Sequence, residues 1–228
     1  MDRNGEAAIL KCLGPALRHV IDVGANVGNW TEMMLWNAPA ATCLMFEPSR
    51  LATAELHKRY GASQRVFIRH AAVADSPGEM TFYEEPAHGE TSSLVQRFAA
   101  ATATAAIVEI TTIDCEIERI GWDRVDYLKI DAEGYDFPVL KGARRSFEQK
   151  RIALGQFEYG HGWMLSGGTL ACALEWLKGL DYESFLLKRG RLYIPRPEFY
   201  GEYFSYSNYV FCHSGTKHLI SHLIAGPV

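Results

Sequence analysis

The chain has 228 residues, 48% of them hydrophobic and 22% charged, enough to bury the core of one domain spanning residues 1–228. A formal net charge of −4, from 23 Lys and Arg against 27 Asp and Glu, supplies no overall positive field, so a nucleic-acid partner is not expected. No apolar run reaches membrane-spanning length, and the first residues carry Asp2 and Glu6 without a basic region and an apolar core, so neither a membrane span nor a secretory leader is expected.

The five cysteines, Cys12, Cys43, Cys115, Cys172 and Cys212, are odd in number and widely spaced, with no C-x-x-C pair or Cys/His cluster. They read as reduced, mostly buried thiols of a cytoplasmic protein rather than as a disulfide framework or a zinc site.

In chain order, Glu6 to about Leu17 predicts a short amphipathic helix with a break at Gly14-Pro15, an N-terminal extension over residues 1–18. A strand follows over His19–Val23, a helix from about Asn29 to Trp36 closed by Pro39, and a buried strand at Thr42–Phe46. A helix from about Ser49 to Tyr60 stops at Gly61, and Val66 opens a third strand running toward Ala71-Ala72-Val73. This alternation predicts right-handed crossovers and a parallel, doubly wound α/β sheet. The rhythm breaks over residues 76–121, where Met80–Glu84 and Ile107–Thr112 suit an added antiparallel pair. The segment 85–104 between them has no periodic apolar face and predicts a functional loop or lid. Strand and helix then resume with Val125–Ile130, a helix from about Phe137 to Gln149, a strand at Ile152–Tyr159 and a helix from about Thr169 to Leu180. Ser184–Lys188 and Asn208–His213 close the sheet as an antiparallel hairpin around an aromatic-rich insertion, Arg191–Tyr206.

Three segments carry chemistry. In the first, Asp22-x-Gly24-Ala25-Asn26-x-Gly28 follows a strand and opens a helix, the context of a cofactor-binding turn. Its glycine spacing departs from the dinucleotide fingerprint, which argues against a diphosphate, and the charge of Asp22 suits a cationic ligand. In the second, Glu47-Pro48-Ser49 ends the next strand about twenty residues on, where a carboxylate accepts ribose hydroxyls. Ala72 and its neighbours offer room for a flat base, or are simply apolar core.

The third segment is Leu128-Lys129-Ile130-Asp131-Ala132-Glu133-Gly134-Tyr135-Asp136. Asp131 ends one parallel strand and Glu158 ends its neighbour, so their carboxylates either shift one another's pKa or recruit a divalent ion such as Mg2+, with His161 as a further ligand. Without a metal, Asp131 faces a cofactor ammonium and Glu158 binds acceptor hydroxyls or backbone. Glu133 either orients or deprotonates the acceptor, or its charge favours the start of the next helix. His161, between Gly160 and Gly162, is the leading imidazole base, and Ser92 and Ser93 bring hydroxyls to the site from the long loop. The basic group Lys141, Arg144, Arg145, Lys150 and Arg151 reads as a solvated helix face. The aromatic insertion forms an acceptor wall, a sheet-edge cover or a homodimer surface.

Taken together, the Asp22–Gly28 turn, Glu47 and above all K-I-D-A-E-G-Y-D-x-x-V-L-K-G-A at Lys129–Ala143 resemble the FkbM family of S-adenosylmethionine-dependent methyltransferases, over about Val20 to Tyr159. The resemblance implies a seven-stranded, Rossmann-like class I methyltransferase sheet, S-adenosylmethionine as cofactor, and methyl transfer to a hydroxyl of a sugar, glycolipid or polyketide-type metabolite. It implies cofactor contacts at Asp22, Gly24, Ala25, Asn26, Gly28, Glu47, Pro48, Ser49, Ala72 and Asp131. Catalytic roles fall on Asp131, Glu133 and His161, and acceptor contacts on Ser92, Ser93, Glu158 and His161. N- or carboxyl-methylation of a small metabolite, or a non-catalytic cofactor-binding module, remain the alternatives.

Overall fold

The computed structural model describes residues 5–85, 93–94, 103–196 and 201–227. It opens with α1 (Glu6–Leu13), β1 (His19–Val23), α2 (Asn29–Asn37), β2 (Thr42–Phe46), α3 (Arg50–Tyr60) and β3 (Val66–Arg69). The next elements are β4 (Ala72–Val73), β5 (Gly78–Glu84), β6 (Thr104–Thr111), α4 (Ile113–Ile120) and β7 (Val125–Ile130). Then come α5 (Asp136–Lys141), α6 (Arg144–Glu148), β8 (Ile152–Tyr159), α7 (Trp163–Ser166) and α8 (Leu170–Gly179). The chain finishes with β9 (Tyr182–Lys188), β10 (Arg191–Ile194), β11 (Ser207–His213) and β12 (Ile224–Pro227).

The main sheet runs β12-β10-β9-β11-β8-β7-β1-β2-β3. Seven consecutive strands, from β3 at one edge to β9, are the expected sheet: β3, β2, β1, β7 and β8 pair in parallel and β11 is antiparallel to both β8 and β9. Strands β10 and β12 extend it by two, β10 from within the aromatic-rich insertion and β12 from beyond the last expected strand. Short edge strands of this kind carry too few residues for a periodic signal.

Other departures have local causes. The third strand ends at Arg69, and Ala72–Val73 instead pairs with β6 in a separate sheet ordered β4-β6-β5. The helix expected from Phe137 to Gln149 is two, because the Asp114 carboxylate of α4 accepts the N–H groups of Arg145 and Ser146, both at 2.9 Å, and caps a fresh start. Helix α4 itself was not anticipated. Its signal is the Thr112 hydroxyl, which accepts the Cys115 N–H at 3.1 Å.

Two apolar layers enclose the main sheet. One is built on Ile21, Leu44, Leu128, Phe157 and Phe211 under α4, α5, α6 and α8; the other on Val20, Met45, Tyr127, Leu154 and Val210 under α1 and α2. Register places Met45, Asp22, Lys129 and Gln156 side by side on the second face, so a polar row crosses an apolar layer. Burying such a row costs free energy unless its members satisfy one another. Of the cysteines, Cys43 and Cys212 are buried, Cys12 is half-buried, and Cys115 and Cys172 are exposed, which corrects the expectation of mostly buried thiols. No helix among the described residues is long and apolar enough to cross a membrane.

Candidate active site

A cavity of about 620 Å³ opens at the carboxyl ends of β1, β2, β7 and β8, where open α/β sheets bind ligands. Of the expected site residues, Gly24, Ala25, Asn26, Glu47, Pro48, Ser49, Ala72, Ser93, Asp131, Glu133, Glu158 and His161 line it. Asp22 and Gly28 do not, and Ser92, with most of the expected lid, lies outside the described residues.

The turn after β1 is shaped by backbone packing. Gly24 has φ +73°, and a Cβ there would sit 1.8 Å from the Asp131 carbonyl oxygen, so glycine lets β1 and β7 end together. Asn26 is left-handed too, at φ 48°, and donates its N–H to Glu47 at 2.7 Å. Glu47 also accepts the Ser49 N–H at 2.7 Å. Burial pushes its carboxyl up to about 7, against the pull of those two N–H groups. Gly28, φ +85°, packs on Leu56 and Tyr60 at the start of α2 and acts from behind the wall. Ser49 lines the cavity, but its hydroxyl accepts the Ala52 N–H, capping α3, and donates to Glu84, tying the small sheet to the large one.

Asp22, expected to face a cationic ligand, lies beneath the turn. It is fully buried, accepts the Thr31 hydroxyl at 2.6 Å and pairs with Lys129 at 3.3 Å. Lys129 also pairs with Asp131 at 3.2 Å and lies over the Trp30 ring at 5.8 Å. Burial alone disfavours its ammonium, but Asp131, Asp22 and Glu6 together hold it charged. Trp30 lines the cavity as well, and its buried indole N–H has no hydrogen-bond partner among the described residues.

At the opposite end, Glu133 stands in the turn after β7 with φ 47°, short of α5, which begins at Asp136, so it belongs to the cavity wall rather than to the helix start. Its carbonyl accepts the Ser93 hydroxyl at 3.1 Å, and Ser93 bridges to Tyr83. Asp136 is fully buried and accepts the Glu158 N–H at 3.1 Å, anchoring the end of β8. Burial, then Asp131, raises the Asp136 carboxyl to about 7. Glu158 is driven well above the usual carboxylate range, first by burial and then by Asp131, Asp136 and Glu133. Burial and mutual repulsion therefore favour the protonated forms of Asp136 and Glu158. Among the described residues no three His, Cys, Asp or Glu gather as a metal site, and Asp131 spends its charge on Lys129, so the Asp131/Glu158 divalent-ion expectation is set aside. His161 stands exposed on the rim.

The family model of the methyltransferase FkbM domain matches residues 22–184. The chain belongs to this family. Relatives include Methyltransferase sdnD of Sordaria araneosa, 25% identical over 56% of this chain and 61% of its own length. Another is 2-O-methyltransferase NoeI of Sinorhizobium fredii, 21% identical over 60% and 62%. The chain thus spans about three fifths of the curated relatives it matches. A methyltransferase FkbM structure from Methylobacillus flagellatus has the same fold, with TM-score 0.55 and 17% identity over 85% of this chain and 43% of that one. So does the METTL16 MTase domain, at TM-score 0.51 and 11% identity over 91% and 64%.

In this FkbM-family chain, sequence reasoning passed over Lys129 and Asp136, which stand inside the strongest motif but exert their effect from beneath it. It also missed Glu6, Trp30 and Phe82, whose place in the wall depends on elements distant in sequence. From the aromatic insertion Tyr206 reaches the cavity, its hydroxyl accepting from Asn208 at 3.1 Å, while Tyr203 packs against Tyr159. The basic residues Lys141, Arg144, Arg145 and Lys150 pair with Asp75, Glu148, Glu118 and Asp181, as a solvated face does.

Proposed function

We propose that the protein is an S-adenosylmethionine-dependent O-methyltransferase whose acceptor is a hydroxyl of a sugar, glycolipid or polyketide-type metabolite. The observation that carries this reading is the division of one cavity: Glu47 beside an apolar slot of Ala71, Ala72, Val73 and Phe82 at one end, Glu158 and His161 at the other. The similarity to NoeI, a 2-O-methyltransferase, supports oxygen as the acceptor atom.

S-adenosylmethionine would supply an electrophilic methyl carbon whose leaving group is a neutral thioether. The residues around it position and exclude water, which accounts for most of the rate in such a displacement. Glu47 has lone pairs left for two ribose hydroxyls after accepting the Asn26 and Ser49 N–H groups. The apolar slot takes the flat base. Asp131, pinned by Lys129, keeps a fixed negative charge in mid-cavity. Glu158, protonated at neutral pH, donates a hydrogen bond to the acceptor, and an imidazole nitrogen of His161 takes the hydroxyl proton as the new bond forms.

Incubation with S-adenosylmethionine carrying a ¹³C methyl group and a panel of hydroxylated acceptors tests the reading. Label appearing as an O-methyl signal is the expected outcome. Label on nitrogen or carboxylate alone overturns the choice of acceptor atom, and failure to bind S-adenosylhomocysteine overturns the cofactor.

A further inference from the structure

We infer that the indole N–H of Trp30, together with the first turn of α2, binds the carboxylate at the amino-acid end of the cofactor. The inference rests on the reading that the cavity takes S-adenosylmethionine. Trp30 stands in the first turn of α2 and is 5% exposed, yet it is part of the cavity wall together with Gly24, Lys129 and Asp131. Its ring is fixed by packing: it stacks on Tyr127 with centroids 6.1 Å apart, and the Lys129 ammonium lies 5.8 Å from its centre. A ring so placed would ordinarily be an apolar filler. Its N–H, however, is buried with no hydrogen-bond partner among the described residues.

A buried donor left unpaired costs free energy, and buried indole N–H groups usually find an acceptor. A second feature of the same turn calls for an acceptor too. Helix α2 opens at Gly28, which has no side chain to cap the first-turn N–H groups, and both Asn29 and Trp30 of that turn line the cavity. Uncapped N–H groups at a helix start favour an anion. The acid nearest this turn does not compete for them: Asp22 is fully buried, accepts the Thr31 hydroxyl at 2.6 Å and pairs with Lys129 at 3.3 Å. Glu47 on β2 and the apolar slot beyond it take the nucleoside, so the amino-acid arm runs the other way, along the β1 turn toward β7 and Trp30. A carboxylate has two oxygens and accepts only, so one oxygen suits the indole donor and the other the backbone N–H groups. The Lys129 ammonium against the ring adds positive charge where that anion would sit.

Calorimetric titration of S-adenosylhomocysteine, and of its decarboxylated analogue, which lacks only the carboxylate, into the parent and Trp30→Phe proteins tests this. Phenylalanine keeps an aromatic ring against Tyr127 and loses the donor. Loss of one charge-assisted hydrogen bond predicts S-adenosylhomocysteine affinity lower by about tenfold to a hundredfold in Trp30→Phe, with the analogue within about twofold of its affinity for the parent. Equal affinity of the parent for the two ligands overturns the inference. Unchanged S-adenosylhomocysteine affinity in the variant does so too, as does an equal loss for both ligands, which would make Trp30 structural. Should the variant not fold, the parent labelled with ¹⁵N-tryptophan decides: of its five indole N–H resonances, one is expected to move downfield with S-adenosylhomocysteine and not with the analogue, and the absence of that shift overturns the inference. A parent protein that binds neither ligand overturns the cofactor reading itself, and is told apart because it needs no variant.

Discussion

At Glu158 the surroundings, not the residue type, decide the chemistry. Burial and three neighbouring carboxylates favour its protonated form, so a side chain that reads from sequence as an ion ligand or an acceptor contact is a donor in the fold. A neutral amide of the same shape imitates that form, whereas truncation does not. Glu158→Gln is therefore expected to keep kcat within about threefold of the parent, while Glu158→Ala raises the acceptor KM roughly tenfold or more through loss of a hydrogen bond. His161→Ala is expected to lower kcat by about 10²–10⁴ without a matching rise in KM, the range of a lost general base. Steady-state kinetics on the three variants decide it: a Glu158→Gln protein as inactive as His161→Ala makes Glu158 the base instead.

The elements around the site meet through backbone, and two glycines of one motif serve different ends. At Gly24 a Cβ collides with the Asp131 carbonyl, which is main chain and has nowhere to go; at Gly28 it meets the side-chain ends of Tyr60 at 2.7 Å and Leu56 at 2.9 Å, which can swing. Both positions are left-handed, so alanine carries about 1–2 kcal/mol of conformational strain at either. Gly24→Ala adds the clash and is expected to cost roughly 2 kcal/mol more than Gly28→Ala, near the upper range for single substitutions. Urea midpoints at fixed m compare the two directly, and equal losses would show that β1 and β7 are not packed as described. The motif spacing was legible in sequence. Which glycine touches what was not, because the partner strand ends lie about a hundred residues apart.

Over the whole molecule, burial of carboxyls at the cavity makes stability depend on pH in an unusual direction. Glu47 and Asp136 titrate near 7 in the fold, and Glu158 higher, against about 4 in an unfolded chain. Between those limits the folded state holds protons that the unfolded state has released, so stability falls as pH rises. Glu47 and Asp136 each contribute roughly 3–4 kcal/mol of this loss by the time the folded pKa is passed. The free protein is expected to have a higher urea midpoint at pH 5.5 than at pH 8, and Asp136→Asn to flatten part of the slope. A midpoint that climbs over that interval would show these carboxyls ionised throughout.

The residues by themselves determined the strand-helix alternation, the parallel sheet, the place of the glycine turn and the two acids that end β2 and β7, because periodicity and turn chemistry are local. They also carried the family, through the run from Lys129 to Ala143. Only the tertiary structure decided that Asp22 is buried beside Lys129, that Asp136 holds the end of β8, and that α1 brings Glu6 to the cavity wall. Charge, burial and proton affinity depend on neighbours across the sheet, and no spacing along the chain records which strand will lie beside which.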